Sequence, residues 1–275
     1  MQILPINYNT YNCNNRTQSF KAYSTKVCKD NGKLAYRTLS NFFRADIVWP
    51  KFIEFIVAKY KNVDKVNVVN HACSVGYEPY SFLLLLINAI GEENIKKFVP
   101  VIARDIDEDV IKYAKVGKLE ATYSEYAMAD HYGGRFALKN RYYNENIFPK
   151  FFKTSYLKKP KTYEDLEDGL ENEYIISCKK NIKKYVDFRR SDIFEDKDLI
   201  SKENTILLLR NVWRYFGEEG IDKLSDFLAN NMKKSSLLVI GGFDLANHID
   251  EILINKGFQD TLYYHDEHHI FEPPG

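Results

Sequence analysis

Gly76 and Asp105 are the two residues at which chemistry first suggests itself. Gly76 lies in HACSVGYEPYS (71–81), between the apolar runs VNVVN and FLLLLI, and Asp105 lies in ARDID (103–107). Ala72, Ser74 and Gly76 carry little side-chain bulk, so backbone amides there can approach a ligand closely just ahead of a helix amino terminus. An acid at the tip of the following strand can accept both hydroxyl hydrogens of a ribose diol. Together they describe a nucleoside site. Neither the G-x-G-x-x-G fingerprint nor the G-x-x-x-x-G-K phosphate loop is present, so a pyrophosphate is not the expected guest. S-adenosylmethionine, which has a ribose and no phosphate, suits the pattern. A plain strand-to-helix turn or another nucleotide site fits the same residues.

The elements that must position these residues can be read from periodicity. KFIEFIVAKY (51–60) has helical spacing behind Pro50, and KVNVVN (65–70) reads as a β-branched strand. Pro79 sits in the first turn of a helix running to Ile90; FVPVIARDID (98–107) is a second strand and EDVIKYAKVG a helix. Further strands are expected in YVDFRRSDIF (185–194), TILLLRN (205–211) and SSLLVIGGF, with a helix over EEGIDKLSDFLANNM and a final edge strand in TLYYHDEHHIF. Alternating strands and helices predict an α/β fold: a mostly parallel central sheet with helices on both faces. Ligands of such sheets bind outside the carboxyl ends of the strands. The stretch from about 118 to 184 breaks the alternation, with Gly133-Gly134, Pro149 and Pro160, and reads as an inserted subdomain. Residues 1–37 read as an amino-terminal arm, and 38–275 as the main domain.

Composition bounds the function. The 275 residues are 45% hydrophobic and 28% charged, enough for one buried core. No apolar run reaches membrane-spanning length and no leader pattern opens the chain, so a cytoplasmic protein without membrane insertion is expected. Thirty-nine basic against 38 acidic residues give no whole-chain field to recruit nucleic acid. Cys13, Cys28, Cys73 and Cys178 are scattered without a Cys-x-x-Cys pair, which argues against a zinc knuckle or a disulfide framework.

Taken together, SNFFR (40–44), ACSVGYEPYS (72–81), ARDID (103–107), VDFRRSDIF (186–194) and LRNVWRYF (209–216) occur in the order of motifs in one enzyme family. The chain resembles the CheR-type chemotaxis-receptor glutamate methyltransferases, with patterns TxFFR, GCSxGEEPYS, ATDID, FxxxNLL and CRNVxIYF. The resemblance covers about residues 38–245 and lacks most of the family's usual amino-terminal helical domain. It implies a Rossmann-like class I methyltransferase with a small inserted β-subdomain and S-adenosylmethionine as methyl donor.

Carried over position by position, the resemblance implies that Asp105 holds the ribose and that Arg44 and Tyr215 line the catalytic pocket. Arg210 and Asn211 would stand beside the methionine portion, and Asp192 and Ile193 near the adenine, where the family has Asn-Leu. Ser40 replaces a threonine, Arg104 a threonine and Arg214 an isoleucine. After Gly76 the family has two acids; here they are Tyr77 and Glu78, so Glu78 or the Tyr77 hydroxyl is expected to take the cofactor's amino group. With Ser40, Arg44, Ala72, Gly76, Glu78, Asp105, Asp192, Ile193, Arg210 and Asn211, the cofactor set is complete. The implied reaction is O-methylation of a carboxylate, a protein glutamate, which needs no proton removed before attack and depends on alignment and exclusion of water.

Other features weigh less. Lys179, Lys180, Lys183, Lys184, Arg189 and Arg190 could steer an acidic protein substrate, or form a solvated face. His265, His268 and His269 resemble a metal cluster, but strand alternation separates neighbours, so no metal is expected. EPPG resembles the acidic Pro-Pro motif of amino-group methyltransferases, yet stands at the chain end rather than after the apolar strand. Cys73 reads as a buried small residue rather than a nucleophile. Two function classes follow: a carboxyl O-methyltransferase, or a protein that binds S-adenosylmethionine or S-adenosylhomocysteine as a sensor without chemotaxis methylation.

Overall fold

The computed structural model describes residues 26–28, 34–36, 40–44, 46–122, 127, 131, 146–158, 173–261 and 269–274. Two short strands, β1 (Lys26–Cys28) and β2 (Leu34–Tyr36), pair antiparallel within the expected arm. Helix α1 (Trp49–Lys59) follows, with Pro50 at its start, where a missing N–H costs nothing. Its apolar positions Trp49, Phe52, Ile53 and Ile56 recur at helical spacing and are all buried.

Strand β3 (Asn67–His71) leads into α2 (Tyr77–Ile90), and β4 (Val101–Asp105) into α3 (Glu108–Val116). Next come β5 (Lys118–Thr122), β6 (Phe152–Lys158) and β7 (Glu173–Cys178), a separate antiparallel sheet in the order β5-β7-β6. This small sheet occupies the stretch that breaks the strand–helix alternation. The main sheet resumes with β8 (Val186–Arg190), β9 (Thr205–Leu208), α4 (Gly217–Asn231), β10 (Leu237–Val239), a short helical turn at Gly242–Leu245 and α5 (Ile249–Asn255). It closes with β11 (Gln259–Asp260) and β12 (Ile270–Glu272).

The seven-stranded order is β11-β12-β10-β9-β3-β4-β8, with β8, β4, β3, β9 and β10 mutually parallel. The chain runs outward from β3 to β4 and β8, then returns to β9 on the other side, so a topological switch point lies beside β3. That is where a ligand crevice opens in such sheets. Successive residues serve opposite faces: Val68, Ile206 and Leu237 join one core cluster, Val69, Leu207 and Leu238 the other. This period of two with both faces apolar is why these strands read as continuous hydrophobic runs.

The last strand departs from expectation. β12 is not an edge: it lies between β10 and β11 and is antiparallel to both. Its Ile270 and Phe271 are buried, and the two-residue β11 supplies the edge instead. Residues 262–268, which carry most of the expected strand, lie outside the described residues, as do His265 and His268. Among the described residues no cluster of three or more His, Cys, Asp or Glu could hold a metal, and no helix is long and apolar enough to cross a membrane.

One contact fixes the entry to the site. Phe43 adopts a left-handed backbone at φ 45°, and its N–H donates to Ser81 Oγ at 3.0 Å. The same hydroxyl donates to the Tyr77 carbonyl at 2.8 Å, so the turn carrying Arg44 is anchored directly to α2. Phe42 and Phe43 are fully covered and pack against Tyr77, Phe152 and Trp49.

Candidate functional site

A cleft enclosing about 1000 Å³ of non-atom space, part of it open to solvent, lies at the carboxyl ends of the central strands. Ser40, Arg44, Trp49, His71, Ala72, Ser74, Glu78, Asp105, Ile193, Arg210, Asn211 and Tyr215 are among its lining residues.

Its floor is the loop after β3. Ala72 and Ser74 take left-handed backbones at φ 56° and 51°, a conformation costing a non-glycine residue roughly 1–2 kcal/mol each. Small side chains there are a steric requirement as well as an opening for ligand. The Ser74 amide turns toward Asp105, donating to Oδ2 at 2.9 Å, while the Asp107 amide donates to Oδ1 at 3.0 Å. The carboxylate is thereby held in one orientation with lone pairs on both oxygens to spare. Burial raises the Asp105 pKa and these two donors oppose the rise. Asp105 does not cap α3; Asp107 does, accepting from the amides of Asp109 and Val110.

The wall opposite is an ion-pair network at the end of β9. The Arg210 side chain, 1% exposed, donates from Nη1 to Glu78 Oε2 at 2.6 Å and from Nη2 to Asp46 Oδ1, and it lies 4.9 Å over the Trp49 ring. Glu78 Oε1 accepts from Asn70 Nδ2 at 2.9 Å. Burial raises the Glu78 pKa against the pull of Arg210. Burial also acts to raise Asp46, but Arg210, Asn211, the Gly242 amide and Arg44 outweigh it and hold that carboxyl below its ordinary value.

Asn211 has a left-handed backbone at φ 58°. Its Nδ2 donates to Asp46 Oδ2 at 2.5 Å and its Oδ1 accepts from the Phe243 amide at 3.0 Å. Behind it, the buried Asp244 carboxylate accepts from the amides of Asn211, Trp213 and Gly241. Burial pushes the Asp244 pKa up to about 7 despite these donors. One carboxylate thus ties the end of β9 to the end of β10.

A model of the CheR methyltransferase SAM binding domain matches residues 38–152 and 162–258. The chain belongs to the CheR methyltransferase family. A chemotaxis protein methyltransferase of Borreliella burgdorferi is 26% identical over 77% of this chain and 61% of its own length. One of Listeria innocua is 23% identical over 74% of this chain and 64% of its own. One of Campylobacter jejuni is 25% identical over 96% and 87%. The chain therefore spans about three fifths of the first two relatives. S-adenosylmethionine is the methyl donor that the CheR domain implies.

The residues present fit that cofactor. Asp105 presents a carboxylate held in an orientation that a diol could meet, Glu78 and Arg210 bring both signs of charge for an amino acid end, and Ile106, Ile193, Leu209 and Val212 give apolar lining. Ser74 Oγ is buried with no hydrogen-bond partner among the described residues, a polar atom of the kind a bound ligand satisfies.

Of the sequence-derived set, Ser40, Arg44, Ala72, Glu78, Asp105, Ile193, Arg210, Asn211 and Tyr215 converge on the cleft. Two do not line it. Gly76, at φ 100°, packs against β8, where an added Cβ would come within 2.9 Å of the Phe188 ring. Asp192, which is not among the lining residues, caps the short turn Ile193–Glu195 by accepting from the Phe194 amide at 3.1 Å. Tyr77 donates to the Glu120 carbonyl on β5, whereas Glu78 lines the cleft.

Arg104, which stands where the family has a threonine, turns to the Asp187 carbonyl and to the carboxylates of Asp187 and Asp196. Cys73 is enclosed, and burial raises its thiol pKa well above the ordinary value. In the basic cluster, Lys184 pairs with Glu92, Arg189 with Asp187 and Arg190 with Glu195.

Sequence reasoning missed Asp46, His71, Trp49 and Asp244. His71 lines the cleft and is bonded through Nε2 to Asp196 Oδ2 at 2.8 Å. Asp244 follows the Gly241-Gly242 pair, and that pair was the available signal. A Cβ at Gly241 would lie 2.4 Å from the Asn211 side chain, closer than any real contact. Gly241→Ala is therefore expected to displace Asn211 from Asp46 and destabilise the protein by about 1–3 kcal/mol. Urea unfolding checks this, and an unchanged midpoint would show that Asn211 is not packed as described.

Proposed function

We propose that this protein is an S-adenosylmethionine-dependent methyltransferase that O-methylates a carboxylate, the side chain of a glutamate in an acidic protein segment. The observation that carries the reading is the convergence of Arg44 and Tyr215 on the cleft that also contains Asp105 and the Glu78–Arg210 pair. The relatives' names, chemotaxis protein methyltransferases, support a protein substrate.

S-adenosylmethionine supplies a methyl group electrophilic enough for an ionised carboxylate to accept it without a general base. Asp105 takes the ribose hydroxyls, Glu78 takes the amino group, and Ile193 packs against the adenine. Arg44 orients the acceptor carboxylate through its planar donors, which fit a carboxylate's two oxygens. Tyr215 hydrogen-bonds close to the reacting oxygen. Trp49 and Phe216 exclude water, which strengthens each of these polar contacts.

The test offers labelled S-adenosylmethionine and a panel of acidic proteins, followed by mild alkali. Label released as volatile methanol is the expected result, since a carboxyl ester hydrolyses in that way. Label that is transferred but resists alkali would assign the activity to another acceptor atom.

A further inference from the structure

Arg214 is the charged residue of LRNVWRYF that the cofactor site does not use. Its neighbour Tyr215 lines the cleft, and the Arg214 Nη2 donates to the Tyr215 hydroxyl at 2.8 Å. The guanidinium lies 5.0 Å from the Tyr215 ring centroid and 5.2 Å from that of Phe243. Phe243 is 50% exposed, and the Arg44 guanidinium lies 5.7 Å from the same centroid. Beside the cleft-lining Arg44 and Tyr215 there is therefore an exposed aromatic ring with two cations held against it.

The charge balance sets Arg214 apart. Arg104, Arg189, Arg190 and Arg210 each have a carboxylate within 4.0 Å. Arg214 has none among the described residues, and its Nε is buried without a hydrogen-bond partner. A half-buried guanidinium whose contacts are two rings and one hydroxyl keeps most of its donors and all of its charge for something else. Ring faces orient such a cation but do not neutralise it.

We propose that Arg214 is a specificity-determining residue that binds a second anionic group of the acceptor, beside the carboxylate that is methylated. This rests on the carboxyl-methyltransferase reading above. The acceptor is then a dicarboxylate segment: one carboxylate enters between Arg44 and Tyr215, a second pairs with Arg214, and the intervening methylenes cover the exposed Phe243 ring. A charge-assisted hydrogen bond of this type favours the diacid about 10- to 100-fold over the same segment with an amide in place of the second acid.

Equilibrium binding of fluorescent peptides to protein saturated with S-adenosylhomocysteine tests this without requiring turnover. Each peptide carries one glutamate and, within four residues of it, either aspartate or asparagine. The wild-type protein is expected to prefer the best aspartate peptide at least tenfold. Arg214→Met is expected to reduce that preference below about threefold with unchanged affinity for S-adenosylhomocysteine, and Arg214→Lys to restore part of it. The proposal is overturned if the wild type shows no preference or if Arg214→Met retains it. Were Arg214 only a support for Tyr215, Arg214→Met would slow methylation of both peptides equally and leave the binding preference intact. Because the readout is binding, absence of methyl transfer by the wild type would count against the carboxyl-methyltransferase reading alone.

Discussion

Asp105→Ala is expected to weaken binding of S-adenosylhomocysteine by at least about a hundredfold, measured by calorimetry, because charge-assisted hydrogen bonds contribute roughly 1.5–3 kcal/mol each. Asp105 is 8% exposed, so its remaining acceptor capacity lies in a restricted, poorly solvated space. Two backbone donors already fix its rotation, and the ribose hydroxyls meet an acceptor that need not reorganise. The substitution removes both those acceptors, leaving the Ser74 and Asp107 amides without them, and Ser74 sits in the left-handed loop that forms the cleft floor. Some destabilisation is expected with the loss of affinity.

Asp105→Asn separates the two effects. It preserves shape and one acceptor oxygen, so one of the Ser74 and Asp107 amides keeps its partner while the other meets the asparagine NH2, and the two-hydroxyl contact is lost. Affinity should fall about tenfold or more, with a smaller drop in melting temperature than in Asp105→Ala. Unchanged affinity in both variants would show that the ribose lies elsewhere in the cleft.

The sheet and the placement of Asp105 at a strand tip were legible because they follow from short-range patterns: apolar runs of strand length, helical spacing and a small-residue turn. Asp46 was not legible. It is an acid in a loop, and its value to the site depends on Arg210 and Asn211, more than 160 positions away in the chain. Asp192 shows a second limit: its position matches a family contact, and its role as cap of the turn that follows is visible only in the fold. Gly76 likewise was read for its freedom to approach a ligand, and the fold adds its positive φ and its packing against the Phe188 ring. Tyr77 in place of an acid left two candidates for the cofactor's amino group, its own hydroxyl and Glu78. Direction, which only the fold specifies, gives that residue to the inserted sheet and leaves Glu78 to the cleft. The edge assignment of the last strand failed because pairing order is a long-range property that alternation does not encode.

Arg210→Met is expected to destabilise the protein by about 3–5 kcal/mol at neutral pH, the range for removing one partner of a buried ion pair. The methionine can occupy much of the space over Trp49, so the loss is mainly electrostatic. Asp46 and Glu78 would face one cleft wall without the cation that lies between them, and two carboxylates so placed disfavour each other's ionised form. Burial raises Glu78 even with Arg210 present, and Asp46 is low only because Arg210 and its fellow donors outweigh burial. Without the arginine both folded-state pKa values should stand above their unfolded values. A carboxyl raised in the folded state makes that state bind more protons than the unfolded one, so the variant should lose stability as pH rises through the raised values and regain it on acidification. In the wild type the depressed Asp46 acts with the opposite sign: its contribution is present above the unfolded value and is lost as pH falls. The difference in unfolding free energy between the two proteins should therefore be largest near neutrality and shrink toward pH 4. Urea titrations across that range measure it directly. A gap that stays constant with pH would mean that Arg210 contributes packing rather than charge, and would remove the ion-pair network from the account of the site.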